Sequence, residues 1–320
     1  MRTILRFAAV LLGLAFALPA AAQNYPTRVV KFVVPFGAGG PADVYARVLA
    51  KYLSEETKQS FIVEDRPGGG SLIGTEVVAK SAPDGYTLLV MSNTHTTNES
   101  LIPNKPYQLM RDFVPVATVN YSDLLMVVHP SVKANSVAEF IAYAKAHPGE
   151  LNYASSGPGT PYHMAGELFK AMAHVDVVHV PHKASGDARN SVLSGNVQMM
   201  FDAITTMLPL AKAGKVRALA TTGEKRSALT PDLPTVGETV KGYEATIWLG
   251  IMAPKGTPKE VVTFLNQAIN RTIQKPEVKE LWLKQGAIPM VKTPEEFEAY
   301  LKKDIEKWAE VVKISGATIK

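Results

Sequence analysis

A glycine-rich turn between a strand and a helix gives the sequence its first candidate site for an anion. Residues 29–34 are apolar and mostly β-branched, which predicts a buried strand. Gly37, Gly39 and Gly40 then relax the backbone, and Pro41 suits the first position of a helix. Because the N–H groups at a helix amino end lack partners within the helix, this turn could bind a small anion.

The same turn allows two other interpretations. Gly37, Gly39 and Ala42 have the spacing of a dinucleotide-binding fingerprint, and the acidic pair Glu64 and Asp65 closes the next apolar run. That pair lies further along the chain than the usual spacing of about 20 residues, and the proline that opens the helix lacks an N–H. A purely structural turn is the third interpretation, and the motif alone leaves all three open.

Four residues of this first turn are candidate ligand contacts: Phe36, Ala38, Gly39 and Asp43. Asp43 would lie in the first turn of the helix, where a carboxylate is stabilised by the helix dipole, so a structural role is its alternative. No second acid at an identifiable spacing would pair with it for acid–base catalysis.

A second glycine-rich turn occurs in the middle of the chain. Thr160 can cap a helix that begins at Pro161. The two turns could face each other across a cleft and share one anionic ligand. The candidate contacts of the second turn are Ser155, Ser156, Gly157, Gly159, Thr160 and His163. His163 would be the third residue of its helix, where a histidine could instead pack or hydrogen-bond locally.

A polar segment follows the third apolar run of the chain. Residues 92–98 carry hydroxyl and amide side chains and one imidazole. Ligands of open α/β sheets bind at the carboxyl ends of strands. Ser92, Asn93, Thr94 and His95 are therefore candidate contacts for a small ligand, and an ordinary polar loop is the alternative.

Catalytic and metal-binding patterns are not recognisable in the sequence. The Gly-x-Ser-x-Gly pattern of serine hydrolases is absent, the seven histidines show no metal-ligand spacing, and the lack of cysteine excludes disulfides and thiolate chemistry. Lys183 and Asp202 would lie near strand ends and could meet a ligand, or could be a solvated lysine and a loop-orienting aspartate. We therefore predict no enzyme, no cofactor and no metal site.

Residues 1–22 have the features of an export signal. Arg2 and Arg6 precede an apolar run over residues 7–18, and small residues lead up to Ala22. The run is shorter than the roughly 20 residues that span a bilayer. We expect cleavage near Ala22 and a periplasmic mature protein.

Composition and periodicity predict an α/β protein with two lobes. The 320 residues, 46% of them hydrophobic, can fill two cores, and short strands alternate with helices along the chain. We expect one lobe from residues 23–122 plus 223–320 and the other from 123–222, each a mixed sheet flanked by helices, with two capped C-terminal helices packed on the first lobe. The net charge of +5 includes no run of five like charges, so nucleic acid is not an expected partner.

Five segments resemble the Bug family, the extracytoplasmic solute-binding proteins of tripartite tricarboxylate transporters. They are residues 35–43, 66–74, 83–89, 157–169 and 253–258, and they occur in the family's order. The resemblance implies a periplasmic-binding-protein-like fold with the ligand between the lobes. It also implies that the loop at residues 36–39 holds a carboxylate partly through bound water and that the loop at residues 155–163 closes over the ligand. The resemblance further implies that the protein binds its ligand without catalysing a reaction.

These observations predict a monomeric binding protein that captures a small organic carboxylate, either a dicarboxylate or an aromatic acid, and delivers it to membrane permease subunits. The alternatives are a periplasmic oxidoreductase or hydrolase with a cofactor at the 37–40 turn, and a ligand carrier for a sensory receptor. We further expect helix amino ends to neutralise the carboxylate without an arginine, since Arg47, Arg66 and Arg189 lie away from both turns in the sequence.

Overall fold

The computed structural model describes residues 25–182 and 185–317. The predicted signal peptide, residues 1–22, and the candidate Lys183 lie outside these residues. The described chain is a mixed α/β protein in which two separate sheets are each flanked by helices, which confirms the predicted fold class.

The strands fall into the buried or half-buried apolar runs of the sequence. In chain order they are β1 (Val30–Val34), β2 (Phe61–Asp65), β3 (Thr87–Ser92), β4 (Phe113–Ser122), β5 (Leu124–Val128), β6 (Leu151–Ser155), β7 (Val177–Pro181), β8 (Met199–Ala203), β9 (Arg217–Thr221), β10 (Ile247–Pro254) and β11 (Ala287–Pro289).

The helices connect these strands and cover the faces of the sheets. They are α1 (Pro41–Thr57), α2 (Leu72–Ala79), α3 (Asn93–Leu101), α4 (Leu109–Asp112), α5 (Val137–Ala146), α6 (Pro161–Ala173), α7 (Ser185–Leu193), α8 (Ile204–Lys212), α9 (Val236–Thr239), α10 (Lys259–Gln274), α11 (Pro276–Lys284) and α12 (Pro294–Ser315). A short 3-10 turn, Gly69–Ser71, precedes α2.

The first sheet has the strand order β11-β4-β10-β3-β1-β2 and defines the first lobe. β1 pairs in parallel with both β2 and β3, whereas β10 runs antiparallel to β3 and β4. The carboxyl end of β1 therefore opens directly into the first glycine-rich turn and α1. This is the strand–turn–helix unit that the sequence predicts.

The second sheet has the order β7-β6-β8-β5-β9 and defines the second lobe. β6 pairs in parallel with β7 and β8, and β5 is antiparallel to β8 and β9. The carboxyl ends of β6, β7 and β8 consequently lie at one edge, from which α6, α7 and α8 begin.

The chain passes between the lobes at two places. Residue 123 alone separates β4 from β5, and the connection from β9 to β10 returns the chain to the first sheet. Within that connection, Val236 and Tyr243 pack into the core of the second sheet. The predicted lobe boundaries at residues 122–123 and 222–223 remain a proposal.

The long helix α12 packs against both lobes. Its amino end is fixed by a capping box between Thr293 and Glu296. Phe297 packs in a core of the first lobe, and Trp308 packs in the core of the second. The helix packs on the first lobe as expected, and its packing on the second lobe was not predicted.

Candidate ligand-binding cleft

A cavity of about 460 Å³ lies between the two lobes. Its volume is in the usual range of small-molecule sites. One wall belongs to the first lobe and consists of Gly39, Gly40, Pro41, Val44, Tyr45, Lys284 and Gln285. The opposite wall belongs to the second lobe and consists of Tyr162, Ser185, Arg189, Ala203, Thr205 and Thr206.

The first glycine-rich turn is held in place by the buried carboxylate of Asp43. Gly39 has a φ of +74°, which glycine adopts readily, and its N–H donates to Asp43 Oδ2 at 2.7 Å. Arg47 pairs with Asp43 Oδ1 at 2.6 Å and with Asp65 Oδ2 at 2.8 Å. Asp43 thus orients the turn, and Arg47 pairs with both aspartates.

Backbone donors at the start of α1 lie next in sequence to the cleft-lining residues Gly39 and Pro41, although their own residues are not among those that line the cavity. Within residues 25–182 and 185–317, the N–H groups of Ala38, Ala42 and Asp43 donate to no acceptor. Ala38 and Gly39 are exposed. Unpartnered N–H groups at the positive end of a helix dipole are suited to an anion.

The second glycine-rich turn brings α6 to the same cavity. Thr160 caps α6 as predicted, because its Oγ1 accepts from His163 N at 3.4 Å and donates to the carbonyl oxygen of Gly157 at 2.7 Å. Tyr162, in the first turn of α6, lines the cavity beside the Gly39 turn. Two helix amino ends therefore border one cavity.

The other candidates of the second turn lie behind this wall. Ser155 is buried, accepts from the N–H of Gly157 at 3.1 Å, and hydrogen-bonds to His179 Nε2 at 2.7 Å. In the described chain, the residues around the cavity do not include Ser155, Ser156, Gly157, Gly159, Thr160 or His163. Their role as direct ligand contacts stays a prediction, and the structure gives them a part in shaping the turn.

His163 makes local contacts that shape the second turn. Its Nδ1 accepts from the N–H of Gly159 at 3.1 Å, and its ring centroid lies 4.1 Å from that of His179. Burial, and then the positive charge of Lys170, lower the pKa of His163 to about 4. The ring is neutral near pH 7 and faces a separate cavity of about 240 Å³.

Residues 92–98 form the N-cap and the first turns of a buried helix and not the ordinary polar loop that was the alternative interpretation. Ser92 caps α3 by accepting from Thr94 N at 3.2 Å, and Ser92 N donates to His95 Nδ1 at 3.1 Å. Burial lowers the pKa of His95 to about 4. The polar side chains satisfy the helix end and its neighbours, and Asn93 donates to the carbonyl oxygen of Thr246 at 3.3 Å. A ligand role for Ser92, Asn93, Thr94 and His95 stays a prediction.

Phe36 and His95 connect this helix to the first turn. Their rings form an edge-to-face pair with centroids 5.8 Å apart. His95 Nε2 also lies 2.9 Å from Thr75 Oγ1 in α2. Phe36 is thereby anchored beneath the turn that it precedes, and the turn rests on a buried, uncharged support.

Sequence reasoning missed a third helix amino end at the cleft. α8 begins directly after β8, and Ala203, Thr205 and Thr206 line the cavity. Ala203 is the N-cap and no side chain caps the helix, so the usual Ser/Thr/Asp signature is missing. The sequence feature that could have indicated this helix start was the position of Asp202 at the end of a predicted strand.

Arg189 also lines the cleft. The expectation that helix amino ends neutralise the carboxylate without an arginine stays a prediction. Its guanidinium pairs with the fully buried Asp202 through Nε to Oδ2, and through Nη2 to Oδ1 at 3.2 Å. Although burial alone would lower the pKa of Arg189, its hydrogen bond with Asp202 raises it. Asp202 Oδ1 also accepts from Ala203 N at 2.7 Å. The strand end thus positions an arginine that its place in the sequence did not suggest.

Two general features complete the description. None of the described helices combines the length and apolar character that crossing a membrane requires. In residues 25–182 and 185–317, His, Asp and Glu side chains do not gather in threes with a geometry suited to a metal ion.

Two lobes joined by two crossings, with helix amino ends around a cleft between them, define a periplasmic-binding-protein fold. The model of the tripartite tricarboxylate transporter family receptor, TctC, matches residues 45–317. The chain belongs to this family, and it is a solute-binding receptor and not an enzyme.

Relatives support this membership over nearly the whole chain. Protein BugT of Bordetella pertussis is 38% identical over 309 residues, which cover 95% of this chain and 94% of that protein. A structure of an R. palustris protein with adipate has a TM-score of 0.83 and 35% identity, and covers 92% of this chain and 99% of its own. MatC from Rhodopseudomonas palustris with bound malate has a TM-score of 0.78 and 30% identity, covering 90% of this chain and all of its own.

Proposed function

We propose that this receptor captures a small organic carboxylate in the periplasm and delivers it to the membrane permease of a tripartite tricarboxylate transporter. The observation that carries the proposal is the convergence of three helix amino ends, those of α1, α6 and α8, on one cavity between the lobes. Each end contributes roughly half a unit of positive charge, and free N–H groups point from it.

The walls of the cavity fit a carboxylate better than a nucleotide. Gly39 and Pro41 allow a ligand to approach the backbone closely, but Pro41 has no N–H to add to a phosphate cradle. The similar structures from R. palustris hold adipate and malate, both dicarboxylates. A compact ligand with one or two carboxylates is therefore the best match to the donors present.

Membership of a transporter receptor family and the predicted export signal support delivery to a permease. We infer that the mature protein begins near residue 23, acts as a monomer, and presents its two lobes to the permease subunits once the ligand has brought them together. A sensory carrier would use the same cleft, so a pull-down against the permease and against a sensor domain separates the two roles.

A thermal-shift screen tests the proposed ligand class. The panel contains aliphatic mono-, di- and tricarboxylates, aromatic acids, NAD(P) and a flavin. A ligand at 100 times its dissociation constant stabilises the folded state by about 2.7 kcal/mol, which is an easily measured shift. We expect at least one carboxylate to give such a shift. Stabilisation by a nucleotide or flavin, with no response to any carboxylate, would refute the proposal.

A further inference from the structure

We propose that Arg189 recognises a second carboxylate at the far end of the ligand, so that the cleft selects aliphatic dicarboxylates over the matching monocarboxylates. This inference rests on the proposed function, because it assigns the other end of a carboxylate ligand whose first end binds at the helix amino ends. It concerns the wall of the second lobe, where Arg189 faces the Gly39 turn across the cavity.

The guanidinium of Arg189 has a free edge. Nε and Nη2 are bonded to Asp202, whereas Nη1 donates to no acceptor in the described part of the chain. The side chain is 24% exposed, and Arg189 lines the cavity. Since a guanidinium carries five N–H donors in a rigid plane, one edge can hold Asp202 while the other binds a ligand carboxylate.

Asp202 fixes the arginine in the wall. The carboxylate of Asp202 is fully buried, and it accepts from Ala203 N as well as from the guanidinium. Burial, and next the charge of Asp202, raise the pKa of the Tyr162 hydroxyl, and Tyr162 also lines the cavity. An arginine locked in this way loses little conformational entropy when it binds a ligand.

A purely structural ion pair is the competing explanation, and the position of the pair argues against it. Neutralising Asp202 requires only a cation beside β8, yet Arg189 reaches that carboxylate from α7 and also lines the ligand cavity. The other basic side chain of the cavity, Lys284, is 71% exposed and paired with Glu280 at 2.8 Å. Arg189 is therefore the fixed cation of the cleft.

The free edge distinguishes among ligand classes. An aliphatic monocarboxylate would place an apolar group against Arg189 when the lobes close, leaving charged N–H groups without water or an acceptor, which is costly. A second carboxylate would accept from that edge in a charge-assisted pair. The chemical group at the far end of the ligand consequently decides how tightly the ligand binds.

Calorimetry on matched acid pairs tests this inference. Succinate, glutarate and adipate are each compared with the monocarboxylate of equal chain length, butyrate, valerate and hexanoate. In the wild-type protein we expect at least one diacid to bind tenfold or more tighter than its partner, equivalent to about 1.4 kcal/mol. The double variant Arg189→Gln/Asp202→Asn, which removes both charges together, should reduce that ratio below about threefold.

Arg226→Gln is the matched control, because Arg226 is also paired with a carboxylate, Glu238, but lies outside the cavity. It should leave the ratio unchanged. If the double variant fails to fold by circular dichroism, Arg189→Lys takes its place. Lysine lacks the planar guanidinium that could bind Asp202 and the ligand at the same time, so the ratio of diacid to monoacid affinity should fall at least threefold.

The outcomes separate this inference from the proposed function. An unchanged ratio in a folded Arg189 variant, or a wild-type protein that binds monoacids as tightly as diacids, overturns the role of Arg189 while leaving carboxylate binding intact. A wild-type protein that binds none of the six acids and no other carboxylate of the thermal-shift panel overturns both.

Discussion

Individual side chains set the shape of both glycine-rich turns before any ligand arrives. Asp43 accepts from Gly39 N, and His163 accepts from Gly159 N. Thr160 ties the second turn to its helix. Each contact fixes a backbone segment next to the cleft, so the donors of the helix ends are positioned in advance, which reduces the cost of binding.

The neutral state of His163 makes stability dependent on pH. Its pKa is lowered to about 4 in the folded protein, whereas an unfolded histidine titrates near 6.5. The unfolded state therefore binds more protons between about pH 4 and 6.5, and the stabilising contribution present above pH 6.5 is lost as the pH falls. His95 and His179 have pKa values lowered mainly by burial, to about 4 and about 3, and act in the same direction.

The variant His163→Asn tests this contribution, because the amide oxygen of asparagine can replace Nδ1 as the acceptor for Gly159 N–H. Urea unfolding at pH 7 and pH 5 gives the loss of stability for each protein. We expect the wild type to lose more than the variant, by about 1 to 2 kcal/mol, since one proton corresponds to about 1.4 kcal/mol per pH unit. Equal losses would show that folding does not lower the pKa of His163.

Buried carboxylates oppose the histidines, which is why the variant is compared with the wild type. Burial raises the pKa of Asp123 and of Asp304 to about 6. These groups bind more protons in the folded state between about pH 4 and 6, so they favour folding as the pH falls. The change of the unfolding free energy with pH reflects both the histidines and the carboxylates. The difference between the wild type and His163→Asn isolates the contribution of His163.

Sequence patterns predicted single residues well where the signal is local. A threonine directly before a proline, here Thr160 before Pro161, favours the start of a helix, and the structure confirms that α6 begins there. The position of Arg189 depends on how β8 and α7 pack in three dimensions, which no spacing along the chain reveals. Its partner Asp202 was recognised only as a residue near a strand end.

At the scale of elements, the helix amino ends are the functional units of the cleft. The strand–turn–helix units at α1 and α6 were predicted because glycine and proline mark them. α8 was missed since its N-cap is Ala203 and Pro209 lies inside it, and both features argue against a helix in sequence. α3 was missed because its polar residues resemble a loop, although they cap and pack a buried helix.

The packing of α12 on the first sheet can be tested at Gly250 in β10. A Cβ added there would overlap the ring of the buried Phe297, the side chain that fixes the start of α12. Overpacking in a well-packed core costs about 1–3 kcal/mol. We therefore expect Gly250→Ala to lower the free energy of unfolding by that amount in a denaturant titration.

Gly186→Ala is the matched control for this substitution. Gly186 lies within α7, and an added Cβ there meets no heavy atom of residues 25–182 and 185–317 within 4 Å. Alanine in a helix is favoured over glycine by about 1 kcal/mol, so this variant should be as stable as the wild type or more so. A Gly250→Ala protein of wild-type stability would mean that α12 does not pack tightly against β10.

At the scale of the whole molecule, the two lobes are joined by two chain crossings and by α12, which contributes Phe297 to one core and Trp308 to another. Composition and strand–helix alternation predicted two α/β lobes, and the family resemblance predicted a ligand between them. The shared helix could not be predicted, because its amphipathic pattern shows that one face is buried but not which lobes bury it.

The central claim is that the first helix end holds a carboxylate by close approach to its backbone, and one matched pair of variants tests it. Gly39 and Gly214 both have positive φ, +74° and +69°, and an added Cβ meets no heavy atom within 4 Å at either. Gly39 lines the cleft, whereas Gly214 lies in the turn between α8 and β9, outside it. Valine should strain both positions similarly.

The measurement is the affinity of Gly39→Val and Gly214→Val, by isothermal titration calorimetry, for the carboxylate that most stabilises the wild type. The account predicts that Gly39→Val weakens binding at least tenfold, about 1.4 kcal/mol, because its side chain occupies the space through which the ligand reaches the turn. Gly214→Val should bind as the wild type does. Wild-type affinity in Gly39→Val would contradict the account.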